Sequence, residues 1–248
     1  MLREALNLKK GDLVVFVGAG GKTSAMNRLA KELVDSGDAV ILTTTTKIFP
    51  PKKMNCRLYL LEDEKESISH ITFPEKPMIL VLGKKINKEG KIVGLDGAEF
   101  KKIREKWPDT VILAEGDGAK GKPFKAPREY EPVIPIETTL VIPVLGVDAL
   151  GQPLDEVHFH RVEEICLLTG LRRGDYLRPE DVAKILLHKK GYQKGVPACA
   201  RWIPLINKAD TMHQRGQAMV LAEILKKAGV AQVLLGSVGI ENSTVEVL

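Results

Sequence analysis

Gly18-Ala19-Gly20-Gly21-Lys22-Thr23-Ser24 puts a glycine turn directly before a lysine and two hydroxyls. A glycine turn lets backbone N–H groups converge on phosphate oxygens, and a helix that starts there adds favourable dipole charge. In that chemistry Lys22 reaches the β and γ phosphates and Thr23 ligates Mg²⁺. The usual GxxxxGK[ST] spacing puts its first glycine at Phe16 and fails, while the shortened GxxGK[ST] matches Gly18–Thr23. On this reading Lys22 stands exposed at a strand–helix junction. The plainer alternative is a glycine-rich turn followed by a surface lysine. A dinucleotide fingerprint, GxGxxG, fits Gly18 and Gly20 but meets Thr23 at its third glycine. It also lacks the acidic residue that should end the second strand, where Thr43–Lys47 stands instead.

A second group of chemistry-bearing residues is Glu115-Gly116-Asp117-Gly118, after the apolar run Val111–Ala114. Acids at the carboxyl end of a buried strand sit beside the phosphate loop of a doubly wound sheet. There they hold Mg²⁺ or orient a nucleophile. Asp117, between two glycines, is expected to approach a ligand closely. Lys120, Lys122, Lys125 and Arg128 follow with no acid among them. They form either a clamp for a second anionic substrate, with Lys120 near the transferring group, or a solvated basic loop. Asn207-Lys208-Ala209-Asp210 is NKxD after the apolar run Trp202–Ile206. A carboxylate there accepts from guanine N1–H and N2–H₂ together, a donor pair that adenine lacks. Asn207 would meet the acceptor edge of the base, and Lys208 would lie along it or brace the phosphate loop. The alternative makes Asp210 a helix N-cap. Gly236-Ser237-Val238-Gly239 is a further source of backbone contacts to the base. In the run Thr43–Thr46, a hydroxyl such as that of Thr45 is a candidate Mg²⁺ ligand, against ordinary strand threonines. His158 and His160 lack other metal ligands nearby and read as a helix start or a substrate contact.

These residues need a frame that brings them to one edge. Apolar strand candidates lie at Leu13–Val17, Ala39–Thr43, Arg57–Leu61, Met78–Leu82, Val111–Ala114, Leu140–Val144, Ile203–Ile206 and Gln232–Leu235. Amphipathic patterns predict helices at Lys22–Ser36, Ala98–Lys106, Val162–Thr169, Pro179–His188 and Met212–Lys227. Continuous apolar strands alternating with such helices predict an α/β fold. It is a P-loop NTPase-like, doubly wound, mostly parallel sheet with helices on both faces. One domain over residues 1–248 is expected, with a helical lobe at 147–195. The 44% hydrophobic and 28% charged content excludes a disordered, collagen-like or disulfide-stapled chain. Cys56, Cys166 and Cys199 are dispersed and expected as buried free thiols. A net charge of +5 with few aromatics singles out no nucleic-acid partner. No membrane-length apolar run and no signal peptide are read, so a cytoplasmic location is expected.

Together these motifs resemble the YqeC-type selenium cofactor biosynthesis proteins. The stretches that carry the resemblance are Val17–Ser24, Thr43–Ile48, Ala114–Pro127, Pro143–Leu154, His160–Arg161 and Pro204–Asp210, in order over nearly the whole chain. The shortened phosphate loop is also similar to that of the Mur-ligase class of amide-forming ATPases. Lys47 stands where the family commonly has histidine, and Glu115-Gly116-Asp117-Gly118 keeps both carboxylates of a pattern closer to EADG. The resemblance implies an accessory role for selenium-dependent molybdenum hydroxylases, one of which is then a partner. Joined to the residues, it implies Mg²⁺-dependent binding of GTP or ATP, with hydrolysis or phosphoryl or nucleotidyl transfer. A GTP-gated chaperone for cofactor insertion is the other class of function.

Overall fold

The computed structural model describes residues 1–51, 54–62, 68–73, 77–241 and 243–248. Its centre is a ten-stranded sheet. The strands are β1 (Leu13–Gly18), β2 (Val40–Thr44), β3 (Cys56–Leu60), β4 (Ile79–Gly83), β5 (Val111–Glu115), β6 (Leu140–Gly146), β7 (Arg201–Trp202), β8 (Leu205–Asn207), β9 (Leu234–Gly236) and β10 (Val245–Val247). The spatial order is β10-β9-β8-β6-β1-β5-β2-β4-β3, with β7 beside β6. Every pairing is parallel except β9 with β10. The helices are α1 (Leu2–Ala5), α2 (Lys22–Asp35), α3 (Gly97–Lys106), α4 (Val162–Thr169), α5 (Pro179–Leu187) and α6 (Met212–Lys227).

The strands are apolar throughout because both faces are covered. In β1, Val14 and Phe16 point to one core with Met26, Leu29 and Leu33 of α2 and Leu2 of α1. Leu13, Val15 and Val17 point to the other, against side chains of α3, α4, α5 and α6. Each such side chain fully buried stabilises by roughly 1.5–3 kcal/mol. Met26, Leu29, Ala30 and Leu33 recur at the period of a helix and are buried. Gly37, in the left-handed region at φ 93°, ends α2 by donating to the Val34 carbonyl. Asp96 and Glu99 form a capping box on α3, and Thr211 and Gln214 form one on α6.

This is an α/β architecture with helices on both faces of a mostly parallel sheet, consistent with a P-loop NTPase-like fold. The predicted strands and helices all form, each within a residue or two at its ends. The short helix α1 and the antiparallel edge strand β10 carry too little periodicity to be read from sequence. So do the two-residue pairs Lys47–Ile48 with Ile92–Val93 and Phe124–Lys125 with Phe159–His160. The 147–195 segment carries α4 and α5, which pack into the core on the face opposite α2. Cys56 and Cys166 are half-buried and Cys199 is exposed, which corrects the expectation of buried thiols. None of the helices is long and apolar enough to cross a membrane, among the described residues.

Candidate functional site

Parallel register gathers the predicted residues at one edge. Phe16 aligns with Glu115, Thr44 with Glu115, Gly18 with Val144, and Asn207 with both Gly146 and Gly236. The carboxyl ends of β1, β5, β2, β6, β8 and β9 therefore form one rim, the place where open α/β sheets bind ligands.

The turn from β1 into α2 is tightly built. The N–H of Ala19 donates to the Val144 carbonyl and that of Gly20 to the Lys122 carbonyl. The Gly18 N–H lies 3.0 and 3.1 Å from the two oxygens of Asp117. These three donors serve the protein itself. The N–H groups of Gly21, Lys22, Thr23 and Ser24 find no protein acceptor among the described residues. They cluster at the start of α2, where the helix dipole favours an anion. At Gly20 a side chain is barred outright: a Cβ would lie 2.0 Å from the Gly146 nitrogen, and φ is +77°. At Gly21, a Cβ would lie 2.3 Å from Asn207 Nδ2. Part of the glycine pattern is thus a demand of packing.

Lys22 is not exposed as the sequence suggested; only 4% of it meets solvent. Its ammonium donates to the Gly18 carbonyl at 2.5 Å and pairs with Asp117 at 3.1 Å, with Glu115 3.9 Å away. Asp117 is fully buried, not free to approach a ligand. The physical reason is its position. It follows β5, lies beside Gly18 and faces Lys22 on one oxygen and Lys125 on the other, at 2.8 Å. Glu115 accepts a hydrogen bond of 3.0 Å from the Thr23 hydroxyl. Burial raises the Glu115 pKa, and the neighbouring Asp117 charge adds to this, against Lys22 and the Thr23 hydroxyl, which lower it. Thr23 and Ser24 are exposed on the first turn of α2. Thr45, half-buried, donates its hydroxyl to the Val133 carbonyl at 2.9 Å and its N–H to the Glu115 carbonyl. Its lone pairs are uncommitted, while Thr44 donates to the Glu115 carbonyl at 2.8 Å.

Beyond Asp117 the ion pairs continue. Fully buried Lys125 contacts Glu131 at 2.9 Å, and Glu131 takes both terminal nitrogens of Arg161. Burial alone would raise the Glu131 pKa, but Arg161 and Lys125 together hold it down to about 2. Lys125 was grouped with a solvated or clamping basic loop, yet it lies inside the fold. Its flanking Phe124 and Ala126, both buried, were the available signal. The Glu131–Arg161 pair carried no comparable signal, because the two residues lie 30 positions apart in the chain. Lys120 is exposed at φ 50° and has no carboxylate partner among the described residues.

In the Asn207–Asp210 segment, Asn207 is buried and does not present its amide to a base edge in the way the sequence suggested. Its Nδ2 donates to the Gly20 carbonyl at 2.7 Å, and its Oδ1 accepts from the Val238 N–H at 2.9 Å. It ties the turn between β1 and α2 to the loop after β9. Lys208 pairs with Asp148 at 2.7 Å. Asp210 is exposed and does not cap α6, a role Thr211 takes. Instead it lines a cavity of about 230 Å³ with Ala209, Gly236, Ser237 and Arg215.

The sequence profile described as "YqeC protein" matches residues 14–163. The chain belongs to the YqeC family. That span runs from β1 through Arg161 and so includes the glycine turn, both acids and the ion-pair chain. The "Uncharacterized protein YqeC" of Escherichia coli (strain K12) is 30% identical over 234 residues, covering 93% of this chain and 89% of the relative.

Proposed function

We propose that this YqeC-family protein binds a magnesium nucleoside triphosphate, GTP in preference to ATP. It then hydrolyses it, or passes a phosphoryl or nucleotidyl group to a second, anionic substrate. Family membership supports a role in selenium cofactor biosynthesis, and within it we place the protein in maturation of the selenium-containing cofactor of molybdenum hydroxylases. The observation that carries the nucleotide reading is the set of free N–H groups from Gly21 to Ser24 at the start of α2, in the same turn as buried Lys22 and the Thr23–Glu115 pair.

The donors present suit Mg²⁺. A hydroxyl and one buried carboxylate are hard oxygen ligands, and this ion commonly takes one or two carboxylates with substrate phosphates and water completing the shell. Thr23 and Glu115 would hold it, with Thr45 beside them, and Asp117 would steady Lys22 behind. Bound there, it would neutralise charge on the phosphate oxygens. The chain's own residues do the rest. The Gly21–Ser24 N–H groups fix the phosphates. Lys22 swings from the Gly18 carbonyl toward the incoming charge, while Asp117 keeps Lys125 as partner. Asn207 holds the turn in shape. Asp210 faces the base through the cavity beside Gly236.

One observation favours a GTP-gated chaperone as the second reading. The chain of ion pairs from Lys22 to Arg161 ends at the start of α4, so phosphate occupancy has a physical route to the helical segment. A chaperone hydrolyses slowly until its target hydroxylase is added. Nucleotide affinity with and without Mg²⁺ tests the shared premise. Lys22→Ala should weaken binding about 10- to 100-fold, the worth of a charged hydrogen bond. Unchanged affinity in the variant rejects the phosphate site.

A further inference from the structure

The distal end of the ion-pair chain holds polar groups that the fold does not use. Arg161 is the residue before α4, in the left-handed region at φ 67°, and no side chain caps that helix. Its side chain is more than nine-tenths buried, and both terminal nitrogens are spent on Glu131. Its Nε is buried and has no hydrogen-bond partner. An unsatisfied buried donor is exceptional in a native fold and marks a place where a water or a ligand oxygen is expected. The preceding residue, His160, is half-buried, and its ring makes no hydrogen bond among the described residues. The two-residue strand Phe159–His160 pairs in register with Phe124–Lys125, which ties His160 to the basic loop. Lys122 fastens that loop by donating to the Val157 carbonyl at 2.6 Å. Lys120 remains an exposed cation without a carboxylate.

We infer that Arg161 Nε, the His160 ring and Lys120 form the binding site for the anionic oxygen group of the second substrate. This rests on the nucleotide reading only in calling that substrate second; the anion site itself stands separately. The charges around His160 are those of Arg161, Lys125 and Lys120, with Glu131 opposing them. Burial and the three cations hold its pKa down to about 4. His160 is therefore neutral at neutral pH and accepts or donates one hydrogen bond. An oxyanion placed among these groups offsets the cations and makes protonation easier. The ligand is a phosphate-like oxyanion, free or carried on a larger molecule.

The test follows the imidazole resonances of the full-length protein by NMR, with nucleotide present to fill the phosphate turn. His160→Gln assigns the signal. Inorganic phosphate should shift the His160 resonance saturably and raise its pKa. Lys120→Ala should weaken that response about tenfold. Methyl phosphate distinguishes the sources, since a site for an esterified group accepts it as readily as phosphate. A His160 resonance that ignores both probes overturns the anion site, whatever the nucleotide does. A response that survives in Lys22→Ala without added nucleotide separates the two sites. If no nucleotide binds the parent protein but phosphate still moves His160, the nucleotide reading fails and this one stands.

Discussion

The two ends of the rim, which we propose face the phosphates and the base of a nucleotide, are built on opposite principles. At the phosphate end, Lys22, Asp117, Lys125, Glu131 and Arg161 alternate in sign and are withdrawn from solvent. Each charge compensates its neighbour, which is the condition for keeping ions in a low-dielectric interior. At the base end Asp210 is exposed, makes no ion pair among the described residues and faces an open cavity. The contrast teaches that acidity near a phosphate turn does not by itself mark a ligand contact. Asp117 is in the fold's own service, whereas Asp210 is exposed and spends its carboxylate on no ion pair among the described residues.

The largest effect expected from this contrast is on stability. Asp117→Asn leaves two buried ammonium groups short of a carboxylate and should destabilise by about 3–5 kcal/mol in denaturant titrations. Asp210→Asn, at an exposed position, should stay within about 0.5 kcal/mol of the parent. Equal, small losses for both would erase the distinction between the two ends.

The base end is sharpened by affinity. GTP should bind more tightly than ATP, and Asp210→Asn should move preference toward XTP by about tenfold, because an amide donates to the acceptor that xanthine carries at C2. Competition binding with the three nucleotides reads this directly. Tighter ATP than GTP in the parent removes Asp210 from base recognition.

A smaller effect appears in acid. The Glu131 carboxyl is held at about 2 in the folded protein, below the usual 4.5, so the unfolded chain binds more protons in that interval. Its contribution is complete above pH 4.5 and disappears as pH falls toward 2. Buried Glu115 has the opposite sign: its raised pKa means that its charge costs stability as pH rises through that value. Melting temperatures across the acid range should therefore fall less steeply in Glu131→Gln than in the parent. A variant that tracks the parent at every pH would show that Glu131 is not held by Arg161 and Lys125.

The frame was legible because its signals are local. Leu13–Val17 and Val111–Ala114 are too uniformly apolar for anything but strands covered twice, and Lys22–Asp35 shows the 3.6-residue period of its buried face. The glycine-lysine-threonine turn was legible because local chain order creates a helix N-terminus there. The roles of its side chains were not. Lys22 read as exposed because its neighbours in sequence are small and polar, yet Asp117 and Glu115 arrive from β5 to enclose it. Asn207 read as a base contact, but the approach of β8 to the turn gives its amide a carbonyl to bind instead.

By itself, then, the sequence determined which segments are strands and helices, that the sheet is covered on both faces, and which family the chain joins. Hydrophobic periodicity and contiguous motifs depend only on near neighbours, so one chain suffices to read them. Only the tertiary structure decided which charges are internal and which stay exposed. That depends on pairings such as Lys125 with Glu131 and Asn207 with Gly20, and above all on Arg161 meeting a carboxylate 30 residues away. Compensation of a buried charge is a property of what surrounds it in space, and no spacing along the chain encodes it.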